Sequence, residues 1–271
     1  MKLLEREMTK LLRFPTVADS APSCSEKPCE FCGAPRQMLA HGSFTYHKRC
    51  ECAGARAARA AHEQQTAERA VEQRADKIDM LLNRAELNGG RAAAQSIGSF
   101  HTDTAFRENA VLWAERYVAQ FEHGATWPVL YGTYGTGKTH IARAIAREII
   151  TQYQRSVLCI NWLRWYQELK SDFKREKTMI GAVCATDLLV IDDFDKQTLT
   201  EYSQLKLYEI IDARYERCVA VLITANSSDL LRFLSSADST TGGAIYDRLE
   251  EMAEWVEFAG ESYRRRGNGR K

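Results

Sequence analysis

The pattern of hydrophobic and polar positions changes at about Phe100. Beyond it, continuous apolar runs such as "WPVLYG", "SVLCI", "DLLVIDD" and "VAVLIT" alternate with stretches of helical periodicity. Short apolar runs separated by helices are typical of parallel strands that are buried on both faces. The pattern therefore predicts an α/β domain over residues 100–271, with a parallel sheet that binds ligands at the carboxyl ends of its strands.

The chain before Phe100 shows two further patterns. Residues 1–14 carry apolar side chains on one helical face, and four prolines interrupt the cysteine-containing region that follows. Residues 53–77 contain almost no large apolar side chain and predict a solvated helix. A short amphipathic face then ends at Asn88-Gly89-Gly90. We predict a small cysteine module over 1–54 and a helical linker over 55–99.

Composition narrows the class of protein only slightly. The 271 residues are 45% hydrophobic and 27% charged, with a formal net charge of +1, so any nucleic-acid surface has to be local. The start, "MKLLEREMTK", places charged residues where a signal peptide needs an apolar core, and no run of apolar residues is long enough to span a bilayer. We expect a cytoplasmic protein without a membrane partner.

The stretch "GTYGTGKT", Gly132 to Thr139, matches the phosphate-binding loop pattern G-x-x-x-x-G-K-[ST] between a predicted strand and a predicted helix. Lys138 would contact the β- and γ-phosphates, and the Thr139 hydroxyl would bind Mg²⁺. The alternative is a glycine turn that only joins strand to helix. The predicted nucleotide-binding residues are Gly132, Thr133, Tyr134, Gly135, Thr136, Gly137, Lys138, Thr139 and His140.

The run "LLVIDDFD" supplies acidic groups at the end of another predicted strand. Asp192 would bind Mg²⁺ through water, and Asp193 would orient or deprotonate the attacking water. Two acids that only cap the next helix are the alternative. Many ATPases have Glu at the second position; since Asp193 is one methylene shorter, slow hydrolysis is expected.

Two more catalytic candidates lie further along the chain. Asn226 follows the strand "VLIT", and it would reach both the γ-phosphate and the water if that strand lies between the strands that lead to the loop and to Asp192; otherwise it begins a turn with Ser227. Arg248 would act on the γ-phosphate of a neighbouring subunit. Its alternative role is a surface ion pair with Asp247 or Glu251.

Residues 100–264 resemble the AAA+ domain of DnaC-type helicase loaders and the related IstB-type transposition ATPases. The resemblance rests on "YGTYGTGKTHIARAIA", "LLVIDDFD", "LYEIIDARYE", "LITAN", "AIYDRLEE" and "FAGESYRRR". It implies a five-stranded parallel sheet flanked by helices, without the usual C-terminal helical lid. It also implies ATP and Mg²⁺ as ligands and self-association through AAA+ interfaces.

Five of the eight cysteines fall within the first 52 residues. Cys29, Cys32, Cys50 and Cys52 form two close pairs that can surround one Zn²⁺. His47 or His41 could replace one thiolate, Cys24 remains spare, and unliganded cysteines are the alternative. A zinc module at this place resembles loaders of the phage and Gram-positive type, in which it contacts the hexameric replicative helicase.

The predicted helix "NWLRWYQELKSDFKREK" combines aromatic and basic side chains. Its first aromatic residues are expected in the core, whereas Phe173 and the cations around it suit stacking on bases and contact with phosphates of single-stranded DNA. The predicted DNA-binding residues are Phe173, Lys170, Lys174, Arg175 and Lys177.

These features together predict an ATP-dependent loader of a replicative helicase onto single-stranded DNA. Two alternatives remain at this point. One is an IstB-like helper of a transposase, and the other is a P-loop kinase that acts on a small molecule.

Overall fold

The computed structural model describes residues 24–41, 44–124, 126–172, 174–196 and 198–263. It divides the chain into two compact units, Met1–Glu72 and Gln73–Lys271. The helix expected over residues 1–14 lies outside the described residues.

The first unit contains a three-stranded antiparallel sheet in the order β1-β2-β3. Its strands are β1 (Cys24–Pro28), β2 (Pro35–His41) and β3 (Phe44–His47). Helix α1 (Ala53–Arg84) begins in this unit, and every residue from 61 to 77 is exposed, as the polar composition of that stretch predicts. The helix ends before Asn88, because Glu86 adopts left-handed backbone geometry with φ 55°.

The second unit alternates helices and strands. Its first part contains α2 (Gly90–Ala93), α3 (Ala105–Gln120), a 3₁₀ turn (Phe121–His123), β4 (Trp127–Tyr131), α4 (Lys138–Tyr153), β5 (Val157–Asn161), α5 (Trp162–Ser171) and α6 (Glu176–Ala185). Its second part contains β6 (Leu188–Asp192), α7 (Glu201–Glu216), β7 (Ala220–Thr224), α8 (Leu230–Leu234), α9 (Ser239–Met252) and β8 (Ala253–Glu257).

The five strands β4 to β8 form one parallel sheet in the order β5-β6-β7-β4-β8. Alternate residues of each strand pack into different cores: Val190 points into one and Leu189 into the other, and both are buried. Helices on both faces supply the remaining core residues, so the apolar runs of β4, β6 and β7 are buried along almost their whole length, whereas β5 and β8 are partly exposed. The predicted five-stranded parallel sheet flanked by helices is confirmed.

Residues before Phe100 contribute to the core of the second unit. Leu81, Leu82, Leu87 and Ile97 are buried in the same cluster as Leu130 of β4. The later part of the expected linker, including its short amphipathic face, is therefore packed in the core of the second unit.

After β8 the described chain continues only through residues 258–263, which run across the sheet edge towards β4; we call them the closing segment. The backbone N–H of Phe258 donates to the Tyr131 carbonyl at 2.6 Å. The expected absence of a C-terminal helical lid remains a prediction, because the description of the chain ends at residue 263. None of the helices in the described ranges has the length and apolar character needed to cross a bilayer.

Candidate nucleotide site and metal centre

The glycine-rich loop joins β4 to α4 and depends on glycine at two tight positions. Gly132 has φ 130°, and a Cβ there would lie 2.4 Å from the Phe258 carbonyl oxygen. Gly137 has φ 104°, and its Cβ would lie 2.5 Å from the Phe100 ring. Side chains at these positions would displace the loop, so the local sequence keeps the backbone accessible for phosphate.

Lys138 is held inside this loop. Its Nζ donates to the carbonyls of Gly132 and Thr133 at 2.7 and 2.8 Å. Burial lowers the pKa of Lys138, although the nearby aspartates oppose the shift. The ammonium group thus bonds to loop carbonyls at the place where phosphate oxygens would arrive.

Asp192 ends β6 and faces the loop directly. Its Oδ1 accepts hydrogen bonds from the hydroxyls of Thr139 and Thr224, each at 2.7 Å. Its Oδ2 lies 3.6 Å from the guanidinium of Arg143, one helical turn beyond Thr139. The predicted pair of Mg²⁺ ligands, Thr139 and Asp192, is therefore brought together in space.

Asp193 follows in left-handed backbone geometry, with φ 57°. Its Oδ2 accepts from the Lys196 ammonium at 2.5 Å and from the Asn161 amide at 3.3 Å. Asp193 lines the pocket beside Asp192, and its action on water remains a prediction.

Asn226 comes just after β7, and β7 lies between β6 and β4. This was the condition under which Asn226 could reach the phosphate and the water. In the structure, its backbone N–H and its side-chain Nδ2 donate to Asp195, at 2.8 and 3.1 Å. Its catalytic role remains a prediction.

These groups surround a pocket of about 550 Å³, which we call the nucleotide pocket. The sequence-predicted residues in its wall are Tyr134, Gly135, Gly137, Lys138, Thr139, His140, Asp192, Asp193 and Asn226. Other lining residues were not predicted: Arg91, Gln95, Phe100, His101, Arg143, Lys196 and Tyr263.

Tyr263, the last residue of the closing segment, lines the nucleotide pocket. The backbone N–H of Tyr263 donates to the Gly135 carbonyl at 3.0 Å, and its hydroxyl donates to the His101 carbonyl at 2.7 Å. The Arg107 guanidinium lies 3.6 Å from the centre of the Tyr263 ring. The "GESY" sequence therefore fastens the end of the sheet domain to the phosphate-binding loop.

His140 packs behind the loop against Phe100, with ring centroids 5.2 Å apart. Its Nε2 lies 3.0 Å from the Ser96 carbonyl oxygen, so this nitrogen carries the proton. Burial lowers the pKa of His140, while the bond to the Ser96 carbonyl opposes the shift.

Arg248 on α9 is engaged within its own chain. Its guanidinium forms an ion pair with Asp212, and it donates to the Tyr208 hydroxyl at 3.2 Å and to the Ala244 carbonyl at 2.9 Å. The partner acid is thus Asp212 rather than Asp247 or Glu251. Arg248 is not among the described residues that line the nucleotide pocket. An action on a neighbouring subunit stays a prediction.

Helix α5 places its aromatic residues in the core, where Trp162, Trp165 and Tyr166 are buried. Phe173 lies outside the described residues. The four predicted DNA-binding cations are exposed: Lys170, Lys174, Arg175 and Lys177. The structure thus presents these charges to solvent, and their contact with DNA remains a prediction.

The first unit contains a cluster of four cysteine sulfurs that lie within 4.8 Å of one another: those of Cys29, Cys32, Cys50 and Cys52. The sulfurs of Cys29 and Cys52 are 3.8 Å apart, and those of Cys32 and Cys50 are 3.6 Å apart. A tetrahedral zinc with bonds of about 2.3 Å needs sulfur separations of about 3.8 Å. The geometry therefore fits a four-thiolate site.

Local hydrogen bonding favours the thiolate at one cysteine of this cluster and the thiol at another. The backbone amides of Phe31 and Cys32 lower the pKa of Cys29 to about 6. The Ala34 amide lowers the pKa of Cys32, but the neighbouring thiols of Cys50 and Cys52 outweigh it and raise the value to about 12. Four thiolates this close repel one another unless a cation lies between them. His47 is not in the group of described ligand atoms, and the side chains of Cys24 and His41 are outside the description.

The sheet order, the glycine-rich loop and the carboxylate that faces it define a P-loop nucleotide-binding protein with the AAA+ arrangement of strands. Residues 56–270 match the family described as IstB-like ATP binding protein. The chain belongs to this family.

Proteins named replicative helicase loader DnaC are among its relatives. The one from Escherichia coli strain K12 is 29% identical over 209 residues, which cover 74% of this chain and 81% of the relative. The one from Buchnera aphidicola subsp. Schizaphis graminum is 26% identical over 159 residues, which cover 56% of this chain and 61% of the relative.

Two crystal structures share the fold. A DnaI structure is 23% identical with a TM-score of 0.54, and it covers 62% of this chain and 89% of its own. A structure of the DnaC helicase loader is 21% identical with a TM-score of 0.55, and it covers 63% of this chain and 100% of its own.

Proposed function

We propose that this protein is an ATP-dependent loader of a replicative DNA helicase onto single-stranded DNA. The observation that carries the nucleotide part is the 2.7 Å contact between Thr139 and Asp192, which joins the phosphate-binding loop to the acidic strand end. The helicase part is supported by the relatives named replicative helicase loaders.

The residues of the nucleotide pocket have different roles in binding and hydrolysing ATP. Lys138 exchanges its bonds to loop carbonyls for bonds to the β- and γ-phosphates. Thr139 and Asp192 would hold Mg²⁺, which would neutralise charge on the phosphates. Asp193 and Asn226 orient the attacking water. Hydrolysis converts ATP and water into ADP and inorganic phosphate, and we propose that this change releases the helicase.

The cysteine cluster gives the first unit a separate role. Cys29, Cys32, Cys50 and Cys52 hold one Zn²⁺, which stabilises a module too small for a large core. We propose that this module binds the hexameric helicase. The exposed cations of residues 170–177, together with Phe173, would contact single-stranded DNA.

The substitution Lys138→Ala tests the nucleotide site. We expect loss of ATP binding or hydrolysis, because the cation that meets the phosphates is removed, and an unchanged zinc content, because the cluster lies in the other unit. Binding is measured by titration with a fluorescent ATP analogue. Wild-type hydrolysis in this variant would refute the site.

Co-purification tests the partner. We expect the full chain to capture a hexameric replicative helicase in the presence of ATP, and to release it after hydrolysis. The family is described as IstB-like, so a transposase is tested as a second possible partner in the same co-purification experiment. Capture of the transposase alone would favour the transposition helper. Phosphate transfer to a small molecule, with no effect of DNA, would favour a kinase.

A further inference from the structure

The turn that carries Asp193 is fixed to the neighbouring strand by its backbone. The N–H of Asp193 donates to the Thr224 hydroxyl and the N–H of Phe194 donates to the Thr224 carbonyl, both at 2.9 Å. The Phe194 side chain is fully buried in the core. The turn therefore cannot move away from β7 without breaking these bonds and exposing an aromatic ring.

Asp195 adds a second anchor to the same turn. Its carboxylate accepts from the backbone amides of Asn226 and Ser227, at 2.8 and 2.7 Å, and from the Asn226 side chain at 3.1 Å. Three hydrogen bonds to one carboxylate hold the turn at the end of β7. Any change in the reach of Asp193 has to come from side chains.

Lys196 forms an ion pair with the side chain of Asp193. Its ammonium lies 2.5 Å from Asp193 Oδ2, and Asp193 is its only ion-pair partner among the described residues. The side chains of Lys196 and Asp193 are 42% and 24% exposed, and both line the nucleotide pocket. A carboxylate engaged by an ammonium group has less capacity to accept a hydrogen bond from water.

We infer that Lys196 is a positioning residue that restrains Asp193, so that hydrolysis proceeds only while the Lys196–Asp193 ion pair is open. This inference rests on the proposed ATP hydrolysis. The expected slow hydrolysis of ATP then has two causes: the Lys196–Asp193 ion pair and the short side chain of Asp193. Asn161, 3.3 Å away, keeps the carboxylate oriented when the pair opens.

The first test uses the nucleotide-free protein. Lys196→Met, Asp193→Asn and the double variant are compared with wild type by chemical unfolding. We expect the two single changes to be non-additive, since both remove the same pair. Additive effects would show that the pair does not form in solution and would overturn the inference. This outcome does not depend on whether the protein hydrolyses ATP.

The second test measures turnover at saturating ATP without DNA. We expect Lys196→Met to raise kcat about two- to five-fold, the range that corresponds to one partly exposed ion pair, with little change in KM. Lys196→Arg, which keeps a cation, should give a smaller rise. Asp193→Asn should abolish the rise when combined with Lys196→Met.

The matched control is Lys206→Met. Lys206 also loses an ion pair, to Glu176 at 2.6 Å, but it lies outside the nucleotide pocket, so turnover should stay at the wild-type level. A fall in kcat for Lys196→Met would refute the inference that Lys196 restrains Asp193 and would assign Lys196 to phosphate binding. Absence of hydrolysis in wild type would instead refute the proposed function.

Discussion

His140 is an imidazole that the fold keeps neutral. Burial lowers its pKa below the ordinary value of 6.5, so the unfolded chain binds the proton more readily. The contribution of neutral His140 to the free energy of unfolding is therefore complete above about pH 6.5. It is lost as the pH falls through the lower pKa of the folded state. We expect the melting temperature to decrease from pH 7.5 to 5.5 in wild type, and to decrease less in His140→Gln.

Thermal unfolding in matched buffers measures this difference. His123→Gln is the control, because it removes an exposed histidine of the same unit. Identical pH dependence in His140→Gln and wild type would show that His140 is not the group responsible.

Some residues of the site could be predicted from sequence and others could not. Lys138, Thr139 and Asp192 belong to patterns whose spacing is fixed by phosphate and Mg²⁺ chemistry. Arg143 lies on a helix and Lys196 on a turn, where charged residues are most often solvated. The sequence around them therefore does not indicate that they line a pocket. Only the register of β6 beside β7 and the position of α4 bring them into the pocket.

The closing segment is an element whose function depends on one aromatic ring. Tyr263 joins the phosphate-binding loop, the His101 backbone and the Arg107 guanidinium. We expect Tyr263→Ala to weaken ATP binding about three- to ten-fold, because the loop loses its packed wall. Tyr263→Phe retains the ring and should lose less affinity. Calorimetric titration with ATP checks this, and unchanged affinity in Tyr263→Ala would contradict it.

Helices α7 and α9 are joined by Arg248. Removal of its ion pair to Asp212 should lower the free energy of unfolding by about 1–2 kcal/mol in Arg248→Ala, and by a similar amount in Asp212→Asn. If Arg248 also acts on a neighbouring subunit, Arg248→Ala alone should keep ATP binding and lose turnover by up to roughly 10³-fold.

Two comparisons separate these roles of Arg248. Equal loss of turnover in Arg248→Ala and Asp212→Asn would assign the effect to the ion pair. Recovery of ATP hydrolysis on mixing Arg248→Ala with Lys138→Ala would support a shared site, since one subunit offers an intact pocket and the other an intact arginine. No recovery, with exchange of subunits shown, would leave Arg248 in its structural role.

At the level of elements, the continuous apolar runs predicted strands β4, β6 and β7, because these strands are buried along almost their whole length. Strand β5 is also an apolar run but is only partly buried, and the count of five strands came from the family resemblance. The contribution of residues 91–101 to the nucleotide pocket could not be predicted. These residues meet Tyr263 and His140 only through contacts between distant parts of the chain, such as the bond between residues 101 and 263. Their polar, glycine-containing sequence resembles that of a linker.

The whole molecule consists of two units with different sources of stability. The second unit has large cores on both faces of a sheet, whereas the first has a small sheet and four clustered cysteines. We expect one Zn²⁺ per chain in protein purified under reducing conditions, and removal by a chelator should unfold the first unit because zinc contributes about 10–16 kcal/mol to such modules. The melting of the second unit should not change.

Metal analysis and circular dichroism check this expectation. Cys50→Ser should lose zinc, whereas Cys218→Ser, an exposed cysteine outside the cluster, should retain it. Absence of zinc in wild-type protein would refute the metal site. A shift in the melting of both units together would refute their independence.

The strand order also determines when the protein can acquire its fold during synthesis. Strand β4 pairs with β7 and β8, but not with β5 or β6, which leave the ribosome before them. Roughly 90 residues separate β4 from β7, and translation at about 5–20 residues per second takes roughly 5 to 20 s to make them. During that interval the apolar strand before the phosphate-binding loop has no partner, and we expect nascent chains stalled there to bind chaperones and not ATP.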